Sequence, residues 1–457
     1  MSASDNPGRA DKTAPMIDIR LPTLPGSGGT FRLTRWLCGL GQHVNAGDVV
    51  AEIAGEAATF EIESPGDGAL AVQTVGAGTA GLAAGALLGS LKAGYRQAPP
   101  PNAPAVLPVE GVIRPVMPKP RAGTRIASMR EALREALADE MRHDSQVFVL
   151  GEEVGEYDGA NKVTQGLLAE FGPARVVDTP ITEHAFAGLA VGAALAGMRP
   201  VVEFMTFNFA LQAMDHIVNS AAKARYISGG QLSCPIVFRG PNGSAPRVGA
   251  QHAHDFAAMF ANIPGLKVLA PATAGDAAGL LRSAIRDNNP VIFLEHELLY
   301  GESGEVPENP EHLVPIGEAR IAQVGHDVTL VAYSIAVSHA LAAAAELAAE
   351  GISAEVIDLR SLRPLDVPTI LASVRRTGRC VTVEEGWPQC GIGAEIVAQV
   401  MEHAFVALKA PVLRVATADV PMPYAAKLEA LAQVTPARVV EAVRKVMEPR
   451  TWLPRSL

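Results

Sequence analysis

Apolar and polar positions alternate regularly from residue 125 onward, where short apolar runs are separated by stretches with helical periodicity. The runs predict buried strands, and the periodic stretches predict helices. Predicted strands cover residues 147–150, 200–204, 235–240, 266–270 and 291–294, and predicted helices cover 129–142, 211–223 and 274–286. Because strands alternate with helices, we expect a parallel, doubly wound α/β sheet. Functional groups should lie at the carboxyl ends of its strands, where Glu152, Met205 and Arg239 are found.

The α/β pattern starts again after a loop at residues 300–310. Further strands are predicted at 327–332, 354–358 and 380–384, with helices at 337–350 and 437–446. The chain therefore carries a second α/β unit, which we expect to be a separate domain. We place the boundary at residue 310, so that the first domain covers 124–310 and the second covers 311–457.

The region before residue 124 has a different pattern. Residues 16–93 alternate short apolar runs with glycine turns, which predicts a small all-β sandwich. An internal repeat indicates two similar halves, since Val44-x-x-Gly47-x-Val49-x-Ala51 is echoed by Leu82-x-x-Gly85-x-Leu87-x-Gly89. Residues 1–15 are polar and predict a disordered leader, and the prolines of residues 94–123 predict an extended linker.

Composition and charge exclude several classes of function. The 457 residues are 48% hydrophobic and carry a formal net charge of −10, which argues against nucleic acid as a partner. No apolar run has the length of a membrane span, and the polar N-terminus lacks the apolar core of a signal peptide. Four cysteines without metal-ligand spacing indicate a reducing compartment, so we predict a cytoplasmic protein without a membrane partner.

The stretch 178–209 concentrates the candidate chemistry. Thr182 is placed to cap a helix that runs from Glu183 through Gly188 to Gly197. Glu183 is a single carboxylate at the mouth of a strongly apolar segment. The helix dipole alone favours a carboxylate at a helix N-terminus, so these residues leave a structural and a functional interpretation of Glu183 about equally open.

Residues 16–93 resemble a biotinyl/lipoyl domain. The resemblance is carried by the segments Gly-Gln-His-Val-Asn-Ala-Gly-Asp at 41–48 and Ala-Thr-Phe-Glu-Ile-Glu-Ser-Pro at 58–65. In that family an exposed hairpin carries Asp-Lys-Ala, and its lysine takes lipoate. The matching positions are Glu56, Ala57 and Ala58, so the resemblance implies a lipoyl-like fold that cannot be lipoylated there. Lys92 lies in the wrong part of the domain to substitute, and we predict a tethering or docking role.

Residues 125–446 resemble the β subunit of the pyruvate dehydrogenase E1 component, a thiamine-diphosphate enzyme. Contiguous motifs carry the resemblance: Gly-Glu-Glu-Val at 151–154, Thr-Glu-His-Ala-Phe-Ala-Gly at 182–188, Glu-Phe-Met-Thr-Phe-Asn-Phe at 203–209, and segments 159–167, 238–243 and 250–252. Segments 358–366 and 384–387 are similar to the transketolase C-terminal domain. The resemblance therefore implies a pyrimidine-binding domain at 124–310 and a transketolase C-terminal domain at 311–457.

The resemblance implies oxidative decarboxylation of pyruvate, with acetyl transfer to the lipoyl-lysine of the E2 dihydrolipoyl acetyltransferase. The run Met-Thr-Phe-Asn-Phe at 205–209 resembles the pyruvate branch more than the branched-chain 2-oxoacid or acetoin branches. A β subunit of those two branches, and an inactive assembly subunit, stay open as alternatives.

The resemblance also implies a role for each candidate residue. In that family a carboxyl group hydrogen-bonds nitrogen N1′ of the cofactor's pyrimidine, and the matching residue is Glu183. Met205 and Phe209 match an apolar wall beside the pyrimidine, although ordinary core packing is the alternative. His252 matches a residue on the substrate side, where it would hydrogen-bond the pyruvate carboxylate or assist acyl transfer. Weaker candidates are His184, Glu152 and Glu153, of which one glutamate has a possible place in a proton path.

Ions and partners follow from the same resemblance. Potassium would be bound through mainly backbone oxygens of Ile236, Ala284, Asp287 and Asn289. The diphosphate–magnesium motif of thiamine enzymes is missing from the catalytic region. The resemblance therefore implies an E1 α subunit that holds Mg²⁺, in an α2β2 assembly whose sites share thiamine diphosphate between the chains. It also implies that the second domain docks on E2.

Overall fold

The computed structural model describes residues 16–22, 30–54, 59–93 and 121–448. The chain divides into two compact units, at 1–117 and 118–457. The predicted leader at 1–15, most of the predicted linker at 94–123 and the lipoyl-type position at 56–58 lie outside the described residues.

The first unit is all-β. Its strands are β1 (Met16–Arg20), β2 (Arg32–Trp36), β3 (His43–Val44), β4 (Val49–Ala54), β5 (Thr59–Glu63), β6 (Gly68–Gln73) and β7 (Leu87–Lys92). They form two antiparallel sheets, with the orders β1-β7-β6-β3 and β2-β4-β5. Leu33 and Ile53 of one sheet share a core with Leu70 and Leu91 of the other. The predicted small all-β sandwich is therefore confirmed.

The internal repeat corresponds to a turn that occurs twice in this unit. Gly47 and Gly85 adopt φ of +87° and +84°, a conformation that glycine tolerates without steric cost. The amides of Asp48 and Ala86 each donate to the carbonyl three residues earlier. The repeated sequence thus produces the same backbone turn at the start of β4 and before β7.

The second unit contains two α/β domains. The first domain comprises β8 (Thr124–Ser128), α1 (Met129–His143), β9 (Val147–Gly151), α2 (Leu167–Phe171), β10 (Val176–Asp178), α3 (Glu183–Leu195), β11 (Arg199–Glu203), a 3-10 helix (Phe209–Ala213), a π-helix (His216–Ala221), α4 (Ala222–Ile227), β12 (Val237–Pro241), α5 (Ala257–Ala261), β13 (Lys267–Leu269), α6 (Ala274–Arg286), β14 (Val291–Glu295), a 3-10 helix (Glu297–Leu299) and β15 (Ser303–Pro307).

The second domain follows the same alternation. It comprises β16 (Arg320–Gln323), β17 (Val328–Ala332), α7 (Ala336–Ala349), β18 (Ala354–Asp358), β19 (Ser361–Arg363), α8 (Val367–Thr377), β20 (Cys380–Val383), α9 (Ile392–Ala404), a 3-10 helix (Phe405–Ala407), β21 (Leu413–Val415), α10 (Ala426–Ala432) and α11 (Pro436–Met447).

Both domains are built on parallel sheets. The larger sheet has the order β10-β9-β11-β12-β14-β13-β19, and only β19 is antiparallel to its neighbour. The second sheet has the order β16-β18-β17-β20-β21, and only β16 is antiparallel. The predicted parallel sheets are confirmed. Strand β19 follows the second domain's β18 in sequence yet pairs with β13, so it fastens the two domains together.

The strands of the larger sheet are buried on both faces, which explains their continuous apolar sequences. Val149 and Val201 lie in a core that contains α1 and α6. Their neighbours Leu150 and Val202 lie in a second core, which contains α3 and reaches the second domain. Alternate side chains of one strand therefore serve opposite layers, as a doubly wound sheet requires.

Two details near the candidate site differ from the predictions. Thr182 precedes α3 but its side chain makes no capping bond, and α3 ends at Leu195, before Gly197. Residues 211–223, predicted as one helix, are divided between a 3-10 helix, a π-helix and α4. The ring of His216 packs so closely on α3 that a Cβ at Gly188 would lie 2.7 Å from its Nε2. Tertiary packing thus overrides the local helical pattern.

Membrane insertion by a helix has no support in this fold. Within residues 16–22, 30–54, 59–93 and 121–448, every helix is too short or too polar to span a bilayer.

Candidate active site

Four predicted site residues follow the carboxyl ends of parallel strands in the larger sheet. Glu152 follows β9, Glu183 follows β10, Met205 follows β11 and His252 lies in the loop after β12. Parallel strands end at a common edge, so the fold brings residues from four separate stretches to one side of the sheet.

Glu183 and Glu152 form a buried pair of carboxyl groups. Glu183 is the first residue of α3 and is 8% exposed, and Glu152 is 7% exposed. The two carboxyl groups lie close enough that the Glu183 side chain raises the pKa of Glu152. Burial and the Glu183 carboxylate raise the pKa of Glu152 to about 7. Oε1 of Glu152 is buried and has no hydrogen-bond partner among the described residues.

The loop between β9 and α2 holds Glu152 in place. Glu153, Asp158 and Lys162 of this loop adopt positive φ values of 56–62°, which non-glycine residues rarely adopt. The carboxylate of Asp178 accepts hydrogen bonds of 2.6 and 2.8 Å from the amides of Gly155 and the next residue. Because Glu153 is exposed, Glu152 is the member of the predicted glutamate pair that reaches the site.

The structure also brings Phe209 and His252 together. Their ring centroids lie 5.3 Å apart with the planes at 90°. Phe209 begins the 3-10 helix that packs against α3, and it is half-buried, like Met205. His252 is exposed. His184 instead packs on His216, with ring centroids 4.4 Å apart, and so belongs to the contact between α3 and the π-helix.

Three of the positions matched to a potassium site, Ala284, Asp287 and Asn289, lie at the end of α6 and in the turn that follows it, and Ile236 directly precedes β12. The amide of Val291 donates to the carbonyl of Ile236 at 2.9 Å, and the amide of Asp287 donates to that of Ala284 at 3.3 Å. The Asp287 carboxylate accepts from the amide and the side chain of Asn289, both at 2.8 Å. These bonds join Ala284, Asp287 and Asn289 within the turn and join Ile236 to the first residue of β14.

A buried charge cluster at the same edge was missed by sequence reasoning. Arg239 is 1% exposed and pairs with the carboxylates of Glu203 and Glu295. The Tyr300 hydroxyl donates to Glu295 at 2.6 Å. Glu203 and Glu295 each end an apolar strand, and Arg239 lies within another. Charged residues in otherwise apolar strands were the sequence feature that could have predicted this cluster. The cluster fixes the register of β11, β12 and β14 where the site residues emerge.

Two family models match the second unit. The transketolase pyrimidine binding domain matches residues 126–302, and the transketolase C-terminal domain matches residues 317–439. A solved split-gene transketolase, described as an inactive β4 tetramer, shares this fold with a TM-score of 0.58 and 28% identity. The match covers 70% of this chain and 98% of that chain.

One curated relative extends the similarity over nearly the whole chain, and others match about 70% of it. The pyruvate dehydrogenase E1 component subunit beta of Rhizobium meliloti (strain 1021) is 51% identical, across 94% of this chain and 99% of that protein. The pyruvate dehydrogenase E1 component subunit beta of Rickettsia bellii (strain RML369-C) is 60% identical, across 70% of this chain and 98% of that protein. The subunit beta-1, mitochondrial, of Arabidopsis thaliana is 59% identical, across 71% of this chain and 90% of that protein. The chain belongs to the family of pyruvate dehydrogenase E1 component β subunits.

Proposed function

We propose that this chain is the β subunit of an E1 enzyme that decarboxylates pyruvate oxidatively and transfers the acetyl group to the lipoyl-lysine of an E2 dihydrolipoyl acetyltransferase. The observation that carries the proposal is the buried pair of Glu183 and Glu152 at the carboxyl edge of a pyrimidine-binding domain. A carboxyl group with a raised pKa beside a second carboxyl group is suited to exchange a proton near a cofactor ring nitrogen, which supports the proposal.

The residues present fit thiamine diphosphate. When bound, that cofactor supplies the nucleophilic carbon and the electron sink for decarboxylation. Glu183 would hydrogen-bond the pyrimidine nitrogen through its carboxyl group, and Glu152 would exchange a proton with Glu183. Met205 and Phe209 would line the pyrimidine and exclude water. His252, against the Phe209 ring, would donate a hydrogen bond to the substrate carboxylate or assist acyl transfer.

The site is half of a shared site, completed by an E1 α subunit in an α2β2 assembly. Helix α3 has apolar side chains on every face, and helices of that kind are normally buried. In the isolated chain, however, Leu189 of α3 is 62% exposed, and Tyr226 and Ile227 at the end of α4 are 88% and 75% exposed. A second chain over this surface accounts for its apolar character. The α subunit would also hold Mg²⁺ and the diphosphate, whose motif the catalytic region lacks.

Potassium is proposed at the turn after α6. Carbonyl oxygens have two lone pairs, so those of Ile236 and Ala284 can accept their amide bonds and still coordinate an ion. Asp287 and Asn289 would add oxygen donors from the turn that follows α6. Loss of thermal stability when potassium is replaced by lithium would support this site.

The N-terminal sandwich is proposed as a tethering or docking domain. Its only lysine in residues 16–93 is Lys92. Lys92 ends β7, pairs with Met16 in the sheet and is half-buried, which does not suit a mobile carrier arm. Mass spectrometry of the chain purified from lipoate-supplied cells should find no lipoyl mass on this domain, and finding one would overturn the proposal.

A cytoplasmic location is part of the proposal, because all four cysteines are free thiols. The proposed activity is tested by co-expression of this chain with an E1 α subunit and purification of the complex. The complex should bind thiamine diphosphate and turn over pyruvate faster than acetoin or 2-oxoisovalerate. A reversed preference would favour the acetoin or branched-chain alternative, and a complex without turnover would favour an inactive assembly subunit.

A further inference from the structure

The loop that carries His252 runs from Asn242 to Asp255, and we call it the His252 loop. The side-chain amide of Asn242 donates to the Asp255 carboxylate at 2.8 Å, and the amide of Gly243 donates to the carbonyl of His254 at 2.9 Å. These bonds close the base of the loop, whose residues 242–245 are buried, whereas residues 250–252 are exposed. The position of the exposed His252 ring therefore depends on the contacts that fix the buried residues 242–245 at the base of the loop.

Three side chains of the second domain hydrogen-bond this loop: Tyr333 donates to Asp255, Glu429 accepts from the amide of Arg247, and Glu385 accepts from Ser244 at the base. The hydroxyl of Ser244 donates to Oε1 of Glu385 at 2.6 Å, a length typical of a strong bond to an ionised acceptor. Gly243 adopts φ +87°, and a Cβ there would clash with Oε2 of Glu385. The backbone of the loop therefore rests directly on the Glu385 carboxylate.

Glu385 is itself fixed from the first domain. Nδ1 of His296 accepts a hydrogen bond of 3.2 Å from the amide of Leu298, so Nε2 carries the proton and donates to Oε2 of Glu385 at 2.7 Å. Burial alone would raise the pKa of Glu385, but His296 and the Ser244 bond outweigh it and hold the pKa below its usual value. Each oxygen of this ionised carboxylate thus has one donor, and both donors come from the first domain.

We infer that Glu385 is a positioning residue for the proposed reaction, which holds the base of the His252 loop through Ser244 so that His252 stands against Phe209. The inference rests on the role proposed for His252. It assigns to the second domain a direct part in the geometry of the active site, through a residue that touches neither cofactor nor substrate. Strand β19, which follows β18 of the second domain, pairs with β13 of the larger sheet, and this pairing holds the second domain beside the loop.

The test uses the purified complex with the α chain, and its first variant is Glu385→Ala. Loss of the anchor should lower kcat about tenfold to a hundredfold with little change in the KM for pyruvate, because misplaced catalytic groups cost rate more than binding. Hydrogen–deuterium exchange in peptides covering 242–255 should become faster. Ser244→Ala should give the same two changes, while Glu395→Ala, an exposed glutamate of the same domain, should give neither.

Combined variants separate this inference from the proposed function. If Glu385 acts through His252, Glu385→Ala should cost nothing further in a His252→Ala background. A full additional loss of kcat there, or unchanged loop exchange in Glu385→Ala alone, would overturn the inference. Full activity of His252→Ala alone would instead overturn the proposed role of His252, whereas the exchange result would still decide whether Glu385 holds the loop.

Discussion

The polar groups at the carboxyl ends of the strands differ between the seven-stranded sheet of the first α/β domain, here the first sheet, and the five-stranded sheet of the second domain, here the second sheet. In the second sheet these groups are paired: the Tyr333 hydroxyl donates to Asp255 at 2.7 Å, and Asp358 accepts from Arg320 at 3.0 Å. In the first sheet Glu152 faces another carboxyl group, Glu183, and keeps an oxygen without a partner among the described residues. Buried polar groups are normally satisfied, so this unpaired oxygen beside a second carboxyl group supports the proposal of a ligand at this edge.

The difference teaches that one architecture can serve two purposes. Where the polar groups at the carboxyl ends of the strands hydrogen-bond across the domain boundary, they hold the two α/β domains together. Where they are left incomplete, we propose that the sheet supplies half of a binding site. The larger sheet contains both behaviours, since its central strands carry the fully paired cluster around Arg239.

The largest expected effect concerns that paired cluster. Arg239→Met leaves the buried carboxylates of Glu203 and Glu295 without a counter-charge, and breaking such a pair costs about 3–5 kcal/mol. Urea denaturation of the complex should show this loss of unfolding free energy. Arg444→Met, which breaks an exposed pair with Glu350, is the matched control and should cost about 1 kcal/mol or less. Equal costs for both variants would contradict a structural role for Arg239.

His252→Ala should separate chemistry from stability. The side chain is exposed, so its removal should leave the melting temperature almost unchanged. Loss of an acid–base or hydrogen-bonding group at the substrate should lower kcat on the order of a hundredfold. Steady-state turnover of pyruvate checks this, with His326→Ala, an exposed histidine of the second domain, as the control. Wild-type turnover would remove His252 from the site.

Glu152→Gln should change stability in a manner that depends on pH. The folded protein raises the pKa of Glu152 to about 7, so between the unfolded value and pH 7 the folded state binds more protons than the unfolded state. Stability contributed by this group is therefore present at low pH and is lost as pH rises through about 7. The variant should be more stable than wild type at pH 8 by about 2 kcal/mol and should match it near pH 4. A difference that does not vary with pH would contradict the assignment.

The smallest change in stability is expected at the second sheet, where the polar groups named above are paired. Tyr333→Phe removes one of three donors to Asp255 and should cost about 1 kcal/mol of unfolding free energy. Affinity for thiamine diphosphate, measured by calorimetry on the complex, should stay the same. A large loss of cofactor affinity would show that the second sheet takes part in binding as well as in fastening.

The sequence predicted the architecture well because strands buried on both faces leave an unambiguous apolar pattern. The runs at 147–150 and 291–294 became strands β9 and β14, and the periodic stretch 129–142 became α1. The pattern failed at 211–223, since the packing of His216 on α3 leaves no trace in local periodicity.

The site was predictable only residue by residue. Resemblance to a family pointed to Glu183 and His252, with Glu152 as a weaker candidate, but not to the pairings that the fold makes between residues far apart in the chain. Glu152 precedes Glu183 by 31 positions, and 141 positions separate Ser244 from Glu385. Such pairings follow from strand order and domain contact, so no local spacing reveals them.

The central claim is that Glu183 supplies the carboxyl group of a thiamine-diphosphate site shared with an α subunit. Its most direct test compares Glu183→Gln with wild type in the purified complex, measuring cofactor binding by calorimetry and turnover of pyruvate on the same samples. Glutamine keeps the shape but cannot exchange the proton, so we expect assembly and cofactor binding within a few-fold of wild type and turnover reduced by at least about a thousandfold. Glu156→Gln, an exposed glutamate of the loop that follows β9, should behave as wild type. Near-normal turnover in Glu183→Gln would contradict the account.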